Sequence, residues 1–142
     1  MIPDREAVVV DTNVFGAALT RRQAPLVGLY ARHLSDRLLV LAAQTVGELR
    51  YGALLARWGA ARQAEMERRI GRARIAPVDD DLVWEVARLR VACRRAGHAL
   101  ADDHHTGDLW IAASAIRYQL PLVAHDGVFR RTPGLDLRTE LA

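Results

Sequence analysis

The sequence predicts an α/β fold in which a parallel sheet is covered by helices on both faces. Two observations support it: short apolar runs alternate with longer segments of helical periodicity along the 142 residues, and no internal repeat, low-complexity tract or linker interrupts them. A chain of this length buries roughly two-thirds of the surface it exposes when unfolded. A single domain spanning residues 1–142 is therefore expected.

The first strand is "AVVV" (7–10), an apolar run that stops abruptly on Asp11. Helices over about 14–19 and 24–34 lead to a second strand, "RLLVLA" (37–42). Helices over 44–57 and 59–72 follow, then a weaker strand, "RIAPV" (74–78). In "WGAARQAEMERRIGRAR" charges dominate between sparse apolar positions, which reads as a solvated helix face. "PVDDDLVWEVARLR" opens a helix over 79–97: its acids fall in the first turn, where they favour the positive end of the dipole, and Leu82, Val86 and Leu89 recur at helical spacing. Gly97, after basic residues, supplies the stop. A helix over 107–119, the strand "PLVAH" (121–125) and a weaker strand, "GLDLR" (134–138), complete the order.

All 20 basic residues are arginine, against 17 acids, a net charge of +3. Arginine suits bidentate phosphate contacts, but an alanine-rich, lysine-free composition also follows from GC-rich coding, so the charge is only mild support for a polyanionic partner. The single cysteine, Cys93, excludes an intramolecular disulfide framework and fits a reducing compartment, where it reads as a packed thiol. "MIPDREAVVV" carries charges before a very short apolar run, and no stretch approaches the ~18 apolar residues of a membrane span. A soluble, cytoplasmic protein with no membrane association is the expectation.

In a doubly wound sheet, ligands bind outside the carboxyl ends of the strands. Four acids are predicted to fall there. Asp11 ends the first strand; alone it reads as a helix N-cap. Glu48, in "AAQTVGELRYGALLA", lies in the helix after the second strand, on a face with Thr45 and Gly52. Gly47 and Gly52 each cost a helix about 1 kcal/mol relative to alanine, which suggests close backbone approach beside Glu48; a solvent-facing glutamate paired with Arg50 or Arg57 is the plain alternative. Asp108, in "HTGDLWIAASAIRYQ", lies in the first turn of a helix that Thr106 could cap. The small-residue stripe of Ile111, Ala112, Ala115 and Ile116 would let that helix lie close to the sheet and turn Asp108 inward. Asp126 follows the strand at 121–125, where a turn aspartate before Gly127 is a common structural event.

Each acid has an ordinary explanation, yet all four fall at strand ends or at the starts of helices that follow strands. Crowded carboxylates repel one another unless a cation neutralises them, and hard oxygen ligands select Mg²⁺ or Mn²⁺. Apart from these four, 20 basic residues face 13 acids. A negative pocket in a basic surround suits a polyanionic substrate and phosphodiester hydrolysis, with one metal activating water and a second, if present, stabilising the leaving 3′ oxygen.

"VVVDTNVF", "TVGELRYG", "GDLWIAASAI" and "LPLVAHDGVFRRTPGLDL", in this order and at these separations, closely resemble the PIN-domain family, and within it the VapC toxins of type II toxin–antitoxin systems. The match runs from about residue 7 to residue 138. The resemblance implies a three-layer α/β/α sandwich around a mostly parallel, twisted sheet of four to five strands. It also implies a metal-dependent endoribonuclease acting on RNA, inhibited by a VapB-type antitoxin, forming a homodimer or a toxin–antitoxin hetero-oligomer, and reaching DNA only through the antitoxin. The family's acidic quartet carries over to Asp11, Glu48, Asp108 and Asp126 as catalytic residues and metal ligands, with Thr12 and Asn13 steadying Asp11 or a bound water.

Competing features weigh less. "ADDHHTGD" (101–108) lacks the cysteine cluster or helical histidine pair of a zinc site and reads as a loop flanking Asp108, with Asp103 or His105 modulating it. His125 reads as a packed or hydrogen-bonded group, and His33 and His98 as ordinary helix-end residues. Trp58, Trp84 and Trp110 read as packing residues, with Trp110 nearest the acids. A phosphatase with Asp11 as nucleophile would need an acid where Asn13 stands. A non-catalytic PIN-like module that binds or regulates within a DNA-binding toxin–antitoxin complex is the remaining alternative.

Overall fold

Val8, Val9 and Val10 are wholly removed from solvent and form most of the first strand, β1 (Ala7–Val10). Their β-branched side chains fit a pleated, packed surface. Val8 and Val10 point to one face of the sheet and Val9 to the other, so β1 is buried on both sides. The structure, a computed structural model, describes residues 5–142; Met1 to Asp4, part of the charged N-terminal stretch, lie outside the described residues.

After β1 come α1 (Thr12–Gly16), α2 (Pro25–Leu34), β2 (Leu38–Leu41), α3 (Ala43–Leu55), α4 (Ala60–Arg72) and β3 (Arg74–Ile75), then α5 (Asp80–Ala96), α6 (Thr106–Arg117), β4 (Leu122–Val123) and β5 (Leu137–Arg138). The strands form one sheet in the order β3-β2-β1-β4-β5, and every neighbouring pair is parallel. Val9 aligns with Val40 on one side and with Leu122 on the other. One core, against α5 and α6, gathers Val9, Val40, Leu82, Leu89, Ile111 and Leu122. The other, under α1 to α4, gathers Val8, Val10, Tyr30, Leu41, Leu49 and Ile70. This is the expected three-layer α/β/α sandwich, with five strands.

The sheet winds outward from β1 in both directions, first through β2 and β3 and then through β4 and β5. The reversal leaves a crevice at the carboxyl ends of β1 and β4.

Element types match the sequence reading, and boundaries differ for local reasons. The first helix begins at Thr12 rather than 14, because the Asp11 side chain caps it, and a 3-10 turn over Ala17–Leu19 completes the predicted span. The strand expected over 74–78 keeps only Arg74 and Ile75, since Pro77 has no N–H for the ladder. The strands expected over 121–125 and 134–138 narrow to Leu122–Val123 and Leu137–Arg138. α5 has the predicted ends: Asp79 Oδ1 accepts from Leu82 N–H, and Gly97 is left-handed at φ 67°. On α4, Met66 and Ile70 face inward while Glu65 and Glu67 take up Arg68, Arg69 and Arg50, the solvated face its composition suggested. Cys93 is buried on the inner side of α5, where burial pushes its thiol pKa up. Among the described residues no helix is long and apolar enough to cross a membrane.

A buried phenol ties α2 to the sheet edge and the C-terminal segment. Tyr30 Oη, on a side chain with 0% exposure, donates to the Ala124 carbonyl at 3.1 Å, accepts from Glu140 N–H at 3.0 Å and lies 2.7 Å from His125 Nδ1. Tyr30→Phe leaves these partners unsatisfied and should cost about 1–3 kcal/mol. Urea unfolding would show this as a lower midpoint at unchanged slope.

Candidate active site

All four acids reach the crevice. Asp11 leaves β1 at its carboxyl end with 3% exposure. Glu48 sits in the second turn of α3, Asp108 in the first turn of α6 and Asp126 just beyond β4. With Thr12, Asn13 and Ile111 they line one cavity of about 150 Å³. Most of the inner face of α6 is buried, from Leu109 to Ala115, so the helix lies against the sheet as its small residues suggested.

Each carboxylate is held by its own donor. Asp11 Oδ1 accepts from Val14 N–H at 2.9 Å, capping α1. Asp126 Oδ1 accepts from Val128 N–H at 2.9 Å, capping the 3-10 turn Gly127–Phe129. The cap read for Asp11 and the turn role read for Asp126 are thus real, and they are also what orients these two acids. Thr12 Oγ1 donates to Glu48 Oε2 at 2.6 Å, a charge-assisted bond, while Gln44 Nε2 donates to Glu48 Oε1 at 3.2 Å. Glu48 is therefore not the solvent-facing partner of Arg50, which pairs with Glu67. His105 Nδ1 lies 3.1 Å from Asp108 Oδ2.

Three expectations require correction. Thr12 steadies Glu48 rather than Asp11, and Asn13 is exposed at the cavity rim with its Oδ1 3.5 Å from Gln23 Nε2. Thr106 does not cap α6: its hydroxyl donates to the Asp103 carbonyl, and the helix starts after His105 without a side-chain cap. Close backbone approach beside Glu48 occurs, but not at Gly47 or Gly52, where an added Cβ would meet nothing within 4 Å. It occurs at Gly107, where a Cβ would stand 2.9 Å from Glu48 Oε1 and 3.0 Å from Gln44 Nε2. A glycine next to Asp108 was visible in the sequence; that α3 crosses over it was not.

Burial first, and then the charges of Asp126 and Asp108, push the Asp11 pKa up to about 7, against the pull of the Val14 and His125 N–H groups. Asp108 is also raised, chiefly by burial and then by Asp126 and Glu48, with His105 opposing. The cavity thus concentrates negative charge beyond what its hydrogen-bond donors offset. Its donor set of carboxylates with a hydroxyl and an amide is hard oxygen, the chemistry that fits Mg²⁺ or Mn²⁺. The acids line the cavity wall; among the described residues no three His, Cys, Asp or Glu side chains form a ready ligating cluster.

The neighbouring histidines divide by role. Only His105 reaches an acid of the cavity; the adjacent ring of His104 lies 6.3 Å away, tilted by 51°. His125 turns from the site and packs edge-on against Tyr30. His33 bonds Glu140, and His98 bonds Leu100 N–H and the Arg130 carbonyl. Trp110 packs against the α5–α6 core, Trp58 lies beneath the Arg62 guanidinium at 3.9 Å, and Trp84 is exposed on α5.

Comparison with known proteins places this geometry in a family. Residues 8–135 match the family model of the PIN domain. Over 131 residues the chain is 34% identical to Ribonuclease VapC5 of Mycobacterium tuberculosis, covering 90% of this chain and 89% of that one. Among solved structures, VapBC-5 from M. tuberculosis superposes with a TM-score of 0.58 at 28% identity, covering 94% of this chain and 96% of that one. VapBC2 from Rickettsia felis, bound to a promoter DNA fragment, superposes with a TM-score of 0.74 at 20% identity, covering 94% and 98%, a likeness of fold. With the family model matched over nearly the whole sheet and its flanking helices, the chain belongs to the PIN-domain family.

Proposed function

We propose that this chain is the toxin of a type II toxin–antitoxin system: an endoribonuclease that hydrolyses RNA phosphodiester bonds with Mg²⁺ or Mn²⁺ held by Asp11, Glu48, Asp108 and Asp126. The observation that carries the proposal is the convergence of these four carboxylates, from four separate elements, on one cavity at the sheet reversal. The 34% identity to Ribonuclease VapC5 supports the choice of RNA. The VapBC assemblies among similar structures support a VapB-type antitoxin as partner, with DNA reached through it. We place the protein in the cytoplasm, as a single domain that assembles as a homodimer or with its antitoxin.

Asp11 and Asp108, fixed by Val14 N–H and His105, would hold the cation most directly, with Glu48 and Asp126 completing the oxygen set. When bound, Mg²⁺ or Mn²⁺ lowers the pKa of a water and offsets the charge that builds on the phosphate. Thr12 and Gln44 keep Glu48 turned into the cavity, and Val128 N–H does the same for Asp126. In the hydrolysis the water oxygen joins phosphorus as the bond to the 3′ oxygen breaks. The proton lost by the water is balanced by one gained at that oxygen, leaving 5′-phosphate and 3′-hydroxyl ends.

Asp11→Asn should lower RNA cleavage by roughly 10³-fold or more and relieve growth arrest on induction; full activity in that variant, or products ending in a 2′,3′-cyclic phosphate, would overturn the proposal. Stability supplies a separate test. Because the folded-state pKa of Asp11 lies near 7, above the ordinary 3.8, the folded protein holds a proton that the unfolded chain has released. Stability of the metal-free protein should therefore fall as pH rises from about 4 to about 7, by up to roughly 4 kcal/mol. Asp11→Asn should melt higher than the parent at about pH 8 and show little difference near pH 4. Added Mg²⁺ should raise the melting temperature of the parent at the higher pH and leave Asp11→Asn unmoved. Gly107→Ala should displace Glu48 and cut cleavage by about tenfold with the fold retained, as read by circular dichroism and turnover.

A further inference from the structure

A pocket lined by four acids repels the polyanion it is proposed to cut, so uncommitted cations must hold the rest of the strand close by. Several arginines are already engaged. Acids take Arg50, Arg68, Arg88 and Arg117, and Arg62 lies over Trp58 and donates to the Leu19 carbonyl. Arg130, on the loop after Asp126, donates to the Ala142 carbonyl. Its neighbour Arg131 is exposed and has no hydrogen-bond or ion-pair partner among the described residues.

Arg131 lies on the loop that follows Asp126. With His98, Gly127, Val128 and Arg130 it lines an open cavity of about 580 Å³. Gly127 directly follows Asp126, and Val128 N–H is the donor that fixes the Asp126 carboxylate, so this cavity is lined by the turn that holds Asp126 in place. The loop is braced from both sides. His98 Nδ1 accepts from Leu100 N–H, which leaves the proton on Nε2 to donate to the Arg130 carbonyl at 2.7 Å. Thr132 Oγ1 donates to the carbonyl of buried Phe129 at 2.7 Å. Arg131 itself has φ 60°, a left-handed conformation that glycine adopts freely and a side chain with a Cβ does not. The backbone here would be better served by glycine, yet it carries an exposed guanidinium five residues after Asp126.

We infer that Arg131 is a substrate-positioning residue that binds a backbone phosphate of single-stranded RNA adjoining the scissile one. The inference rests on the nuclease reading above. It is tested by fluorescence anisotropy with a short fluorescein-labelled single-stranded RNA across a salt series, using the full chain carrying Asp11→Asn to prevent cleavage. Adding Arg131→Gly, which relaxes the backbone and so should not lower the melting temperature, is expected to weaken binding about fivefold. It should also reduce the slope of log affinity against log salt by about 0.7, the value of one phosphate contact on a single strand. Arg131→Lys should recover most of that slope. Arg68→Gln, with the same charge change on the outer face of α4, should leave it as it was. An unchanged slope in Arg131→Gly, or an equal loss in Arg68→Gln, overturns the assignment while leaving the nuclease reading intact. Failure of the Asp11→Asn protein to bind RNA at all overturns both.

Discussion

A carboxylate buried at the end of an apolar, valine-rich strand is the constraint on which the rest of the structure depends. Taking a charge out of water is costly unless hydrogen bonds, a proton or a counter-ion compensates. Asp11 has one firm donor, Val14 N–H, and two acidic neighbours, and its raised pKa expresses the resulting imbalance. The imbalance is sustained because β1 is the central strand, locked between β2 and β4 and covered on both faces, so Asp11 cannot swing out to solvent without disturbing the sheet.

The other acids are brought to Asp11 by interactions that resemble ordinary structural ones. Asp11 and Asp126 each cap the turn that follows them, and Asp108 lies in a helical first turn, where a negative charge is favoured by the dipole. Capping uses one carboxylate oxygen while the side chain still lines the cavity. Structure and proposed function are therefore not alternatives at these positions. Glu48 differs: no cap places it, and it depends on Thr12 from α1, Gln44 from α3 and the missing side chain of Gly107 on α6. It joins the two faces of the sandwich at the crevice.

Charge is divided along the same lines. On the outer helices, acids and arginines pair closely and screen one another, as Glu65 does with Arg68 and Arg69. Such exposed pairs contribute little to stability. At the sheet edge no arginine pairs with the cavity acids among the described residues, and His105 Nδ1 lies 3.1 Å from Asp108. Under the proposed function this separation serves a purpose. Carboxylates left unpaired by arginine remain free for a metal ion, and Arg131, one of several arginines without a carboxylate partner among the described residues, remains free for phosphate.

Much of this was determined by the sequence itself. The apolar run at 7–10, the acids and glycine bounding 79–97 and the small residues after Asp108 are local signals whose physics acts within a few residues, and each produced the expected element. The order of the four acidic motifs likewise marked the candidate site, because strand ends in a parallel sheet share one edge. Tertiary structure decided what depends on partners distant in sequence: that Thr12 serves Glu48 instead of Asp11, that Gly107 rather than Gly47 or Gly52 makes room beside it, and that His125 turns to Tyr30. Spacing along a helix or strand specifies which way a residue faces. What stands opposite it is set only when the layers pack, and there α3, α6 and the turn after β4 meet over the end of β1.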